Sequence, residues 1–114
     1  MIKLVINNCF GGFLLSDIAI ELYKQLYRQK YKKNCRIAVK DLSVGYKIPR
    51  HDPILIKVIE LLGTTNASGK FSELIITEIN SMSYRIINYN GKEKIETPFD
   101  INWINVDPNI LLQQ

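Results

Sequence analysis

The residues best suited to chemistry lie in one short stretch, Asn7-Asn8-Cys9-Phe10-Gly11-Gly12-Phe13, just before Ser16. It leads from an apolar run into a capped helix. Glycines at such a turn let the backbone approach a ligand, and free N–H groups at a helix start attract anions. Asn8, Cys9, Gly11, Gly12 and Ser16 are therefore a candidate site for a nucleotide or another small anion. The stretch has neither the Gly-Lys-Ser/Thr ending of a P-loop nor the dinucleotide-binding spacing. Glycines at strand-to-helix turns more commonly serve the turn itself, which would leave Phe10 and Phe13 as core residues.

Cys9 would be a nucleophile only beside a base. His51 is the single histidine, and its neighbour Asp52 is better used as a helix cap. A buried Cys and a loop His is the commoner arrangement. Two cysteines and one histidine without a close pairing do not make a zinc site, and no spaced carboxylate pair offers an acid–base couple. No catalytic residue, metal or cofactor is assigned, and the expectation is a protein that is not an enzyme.

A second constellation is basic. Lys24, Arg28, Lys30, Lys32, Lys33, Arg36 and Lys40 interleave with Tyr23, Tyr27 and Tyr31. Cations among aromatics suit a phosphate backbone and stacked bases, so Lys24, Arg28, Lys30, Tyr31, Lys32, Lys33 and Arg36 are candidate nucleic-acid contacts. A cationic helix end is also a normal complement to the helix dipole, and Tyr23 and Tyr27 flank an apolar stripe that needs covering.

Composition bounds the fold that positions these groups. The chain has 114 residues, 46% hydrophobic and 23% charged, which fits one domain with a real core and excludes disorder. Net charge is +4, less than a dedicated DNA-binding module usually carries. Cys9 and Cys35 are too few for a disulfide framework and fit free thiols in a reducing compartment. The run Ile2–Ile6 is too short for a signal peptide and lacks a basic flank before it. No stretch approaches the ~20 apolar residues of a membrane span, so no membrane partner is expected. The sequon-like Asn66-Ala67-Ser68 reads as an unmodified loop.

Residues 2–6 read as a buried strand. Ser16 is an N-cap with Asp17 in the first turn, and Leu15, Ile18, Ala19, Leu22, Tyr23 and Leu26 form the stripe of a helix from Asp17 to Gln29. Cys35-Arg36-Ile37-Ala38-Val39-Lys40 reads as a second strand. Asp52 caps a second helix, with Pro53 in its first position and Gly63 just past its end. That helix is apolar almost all round, which implies burial on several sides or an oligomer interface. Leu74–Ile79 reads as a strand. Asn90-Gly91 between two strand-like runs predicts a hairpin pairing Ile86 with Ile95 and Arg85 with Glu96. Phe99, Ile101, Trp103 and Ile104 are too apolar for a solvated tail, Asp107-Pro108 marks a turn, and Ile110-Leu111-Leu112 would pack back or onto a neighbouring chain. The expected fold is α+β: two helices on one face of a mainly antiparallel sheet, over residues 1–97, with 98–114 as an extension.

Two segments, Val5 to Phe13 running into Leu15-Ser16, and Arg50 to Gly63 (Arg-His-Asp-Pro-Ile-Leu-Ile-Lys-Val-Ile-Glu-Leu-Leu-Gly), resemble a small family encoded by bacteriophages, large DNA viruses and their satellites. The resemblance continues through Leu74–Ile79 and from Tyr84 to Glu96. Leu14 departs from the small or polar residue frequent there, and the tail after Pro98 looks like an addition. What the resemblance implies is a viral context, in the host cytoplasm, a viral factory or the virion; it carries over no activity. The leading expectation is a non-enzymatic viral accessory or virion-associated protein, acting by binding as a homo-oligomer. The alternatives are nucleic-acid binding through 24–40 and anion binding at the Gly11-Gly12 turn.

Overall fold

The computed structural model describes residues 1–100, 104 and 106–109. In chain order the elements are β1 (Ile2–Asn7), α1 (Asp17–Tyr31), α2 (Val39–Ser43), α3 (Pro53–Ala67), β2 (Leu74–Ile79), β3 (Arg85–Tyr89) and β4 (Lys92–Glu96), followed by a 3₁₀ turn at Pro98–Asp100. The fold is α+β, with all strand pairing antiparallel. The strands form two separate ribbons, β1–β2 and β3–β4.

α3 is the centre of the molecule. Asp52 caps it, accepting from the Ile54 N–H, and Pro53 opens its first turn. Its regular run breaks at Gly63, where φ is +78°, and one further turn carries the helix to Ala67. α3 packs against α1 on one side and against β1 and β2 on the other. Ile54, Leu55, Val58 and Ile59 are buried. The apolar surface that suggested a second copy is thus largely covered within one chain; Leu61 is the part of it left exposed.

α1 begins at Ser16, whose hydroxyl accepts from the Ala19 N–H, and runs two residues beyond the expected Gln29. Its inward stripe is rotated from the expected one. Ala19, Ile20 and Tyr23 are buried, while Ile18 stands exposed. The Tyr23 hydroxyl donates to Asp52 Oδ2 at 2.5 Å, which ties the middle of α1 to the start of α3.

The expected strand over Cys35–Lys40 does not form. No strand pairs with this segment among the described residues, and its second half is the start of α2. The physical reason is where its apolar groups go. Val39 is exposed, and the side chain that enters the core is Leu42, fully buried on α2. Half-buried Ile37 and buried Leu42 lie five positions apart, so the apparent alternation of Ile37 and Val39 does not describe one buried face.

The hairpin forms as the Asn-Gly turn demands. Asn90 and Gly91 both have positive φ, and the register pairs Arg85 with Glu96 and Ile86 with Ile95. In the tail, Phe99 and Ile104 are exposed. The Asp107-Pro108 turn is held by the Asp107 carboxylate, which accepts from the Asn109 N–H. The expectations for Ile101, Trp103 and Ile110-Leu111-Leu112 lie outside the described residues.

Candidate functional site

The Asn7-to-Phe13 stretch leaves β1 and meets two other loops. The Gly11 N–H donates to the Asn90 carbonyl at 3.1 Å, so the glycine turn lies directly on the hairpin turn. A Cβ on Gly91 would overlap the amide nitrogens of Gly11 and Gly12, and one on Gly11 would overlap the Phe71 carbonyl. Only glycine permits three backbones to approach this closely. Phe13 packs into the core as the sequence suggested, but Phe10 does not, being 60% exposed.

Beneath this junction is a polar knot. The Asn7 side chain is buried; its amide donates to the carbonyls of Cys9 and Gly91, each at 2.7 Å. Its oxygen accepts from the Glu73 N–H at 2.8 Å and from the Ser72 hydroxyl at 3.2 Å. The Asn7 N–H donates to Glu93 Oε1 at 2.8 Å. Glu93 in turn forms a bidentate ion pair with Arg50, at 2.5 and 2.7 Å. The Arg50 guanidinium lies 4.1 Å from the Phe13 ring centroid and also donates to the Val5 carbonyl. A planar fork facing a carboxylate and stacked on an aromatic face uses the features that distinguish Arg from Lys. One network therefore joins both sequence motifs and the hairpin.

The candidate anion residues are not gathered around a common point. Asn8 bonds Glu73, and the Cys9 thiol donates to the Phe71 carbonyl at 3.2 Å. The Gly11 amide is spent on Asn90. Ser16 faces elsewhere: its hydroxyl donates to the Asn66 carbonyl at 2.6 Å, and its N–H to the Ala67 carbonyl. Cys9 and His51 share no hydrogen bond; the His51 ring instead meets the Tyr84 hydroxyl at 2.7 Å. Burial holds the Tyr84 hydroxyl above its ordinary pKa, against the lowering influence of the nearby Arg50 charge. Among the described residues no group of three or more His, Cys, Asp or Glu could hold a metal ion, and no helix is long and apolar enough to cross a membrane.

Most of the basic candidates lie at or just beyond the far end of α1. Arg28, Lys30, Lys32, Lys33 and Arg36 are exposed, whereas Lys24 is half-buried. Tyr27 and Tyr31 pack at 4.7 Å between centroids, and the Lys30 ammonium lies 5.5 Å from the Tyr31 ring. Lys32 ends the helix in the left-handed conformation, its N–H returning to the Arg28 carbonyl. The ion pairs among the described residues are Lys3–Glu60, Arg50–Glu93 and Arg85–Glu96, so none of these cations is neutralised there.

Sequence reasoning missed Asn7, Arg50 and Glu93 as a unit. One signal was present: in the predicted hairpin Glu93 shares a strand face with Ile95, and an acid on an apolar face needs a buried cation. Comparison with protein-family models, with curated proteins and with solved structures yields no match.

Proposed function

We propose that the protein acts by binding nucleic acid through the basic end of α1, as a non-enzymatic accessory protein in the viral setting its motifs suggest. Charge segregation carries this reading. Residues 24–40 hold seven of the fifteen Lys and Arg and none of the eleven Asp and Glu. The rest of the chain is net acidic, eight cations against eleven acids. A cationic segment without acids of its own favours a polyanion, and the exposed Tyr31 ring offers a face to a base.

Replacing Lys30, Lys32 and Lys33 by Glu tests it. Affinity for a labelled oligonucleotide should collapse, and log K against log salt should become shallower by about 2 for a single strand if three phosphate contacts are lost. Unchanged affinity would refute the reading. A homo-oligomer is a second reading, supported by Phe99 and Ile104, which stand 81% and 93% exposed in one chain. A bare monomer in a native mass spectrum would count against it.

A further inference from the structure

The junction that the glycines permit has an outer face, and that face is aromatic. Phe10, Phe71 and Tyr89 are 60%, 71% and 70% exposed, so none of them serves the core. They come from three separate segments: Phe10 from the loop after β1, Phe71 from the loop before β2 and Tyr89 from the end of β3. Phe10 and Tyr89 meet edge to face at 6.2 Å between centroids. Phe71 adjoins them through Gly11, where an added Cβ would stand 2.9 Å from that of Phe71. Two ammonium groups border the rings, Lys92 at 5.8 Å from the Phe10 centroid and Lys70 at 5.2 Å from that of Phe71.

The backbone holds this arrangement against local preference. Phe71 has φ +61°, a conformation that bulky side chains rarely adopt. Strain of this kind collects at functional sites when the surroundings enforce it. Here the enforcing groups are the Cys9 thiol bonded to the Phe71 carbonyl and the Asn7 network below. Of the two acids nearby, Glu93 is buried against Arg50, and Glu73 accepts from Asn8.

We infer that Phe10, Phe71 and Tyr89, flanked by Lys70 and Lys92, form a second contact surface that stacks the unpaired bases of a single-stranded nucleic acid. Rings supply the stacking faces and the lysines meet the adjoining phosphates. A duplex keeps its bases inside the stack, so the surface selects single strands. The inference rests on the α1 reading for the identity of the polymer. The start of α1 is tied to the end of α3 at Ser16, and its basic end lies a helix length away, about 22 Å for 15 residues. Two separated contacts on one strand then act as a bivalent pair.

The test compares oligothymidylate with an abasic strand of equal length, both fluorescein-labelled, in anisotropy titrations. The variant combines Phe10→Ala with Phe71→Gly; glycine removes the ring and also relieves the positive φ, so the fold should be retained, with the melting temperature as the control. Wild type should prefer oligothymidylate by roughly 5- to 150-fold per stacked base. The variant, which keeps Tyr89 and Tyr31, should lose most of that preference, with the salt slope of the wild type. A variant that keeps the base preference overturns the inference and leaves the rings to a protein partner. The Lys30, Lys32 and Lys33 replacements separate the two readings. If they bind as wild type while the ring variant loses its preference, α1 is wrong and the ring surface stands. Wild type that binds neither strand overturns both.

Discussion

Removing the Glu93 carboxylate should unlock the hairpin from the rest of the protein. In Glu93→Ala the Arg50 guanidinium keeps its place against Phe13 but loses both of its short bonds to a carboxylate. The Arg50 side chain is only 14% exposed, so water replaces that partner poorly. The Asn7 N–H also loses its acceptor. Removing one member of a buried ion pair costs about 3–5 kcal/mol. Unfolding entropy near 2.1 cal/mol/K per residue gives about 0.24 kcal/mol/K for 114 residues, so the melting temperature should fall by roughly 12–20 °C. Removing both charges, in Arg50→Met with Glu93→Leu, should cost clearly less than the sum of the single changes. Urea melts followed by far-UV circular dichroism give the free energies. Hydrogen exchange should show the β3–β4 amides opening first in Glu93→Ala, because that hairpin touches the strand ribbon chiefly through β1. A loss below about 1 kcal/mol, or single effects that simply add, would show that the pair is not the lock.

Gly91→Ala should destabilise by about 2–5 kcal/mol, since its Cβ would overlap two amide nitrogens at a φ of +94°; Gly12→Ala, with open space around its Cβ, should lose only the conformational part, about 1–2 kcal/mol, and equal losses in a thermal melt would contradict the close approach. Burial, and then the hydrogen bond to Asp52, push the Tyr23 hydroxyl far above its ordinary 10.0. Its contribution is therefore whole below pH 10 and is lost as pH rises above it, because the unfolded phenol ionises first. Tyr23→Phe should flatten that alkaline decline in stability, and an unchanged decline would refute the assignment.

How much could be read beforehand depended on whether a feature was local. The Ser16 and Asp52 caps, Pro53 and the Asn90-Gly91 register are decided by neighbours within a few residues, and each stands where the sequence placed it. Cys35–Lys40 reads as a strand because Ile37 and Val39 alternate, over too short a span to separate a strand from a loop entering a helix, while the decisive contact is the burial of Leu42. The Arg50–Glu93 pair spans 43 positions, and Asn7 to Glu93 spans 86. Only the strand face of Glu93 hinted at it. The glycines looked like a ligand cradle because the same conformational freedom that admits a ligand also admits a second backbone, and here that backbone is the hairpin turn.

The spread of the polar knot along the chain sets an order of events during synthesis. Strand β1 and the α1–α3 pair can collapse once residue 67 has emerged, yet at that stage Arg50 lacks the Glu93 carboxylate and the Asn7 backbone N–H lacks its acceptor. Both wait for Glu93, which arrives with the last strand. The hairpin that brings it is local and closes in microseconds, far faster than a ribosome adds residues. Completion of the core is therefore gated by translation rather than by search, and a nascent chain stalled before residue 93 exposes an unneutralised arginine beside apolar surface, a form suited to capture by chaperones.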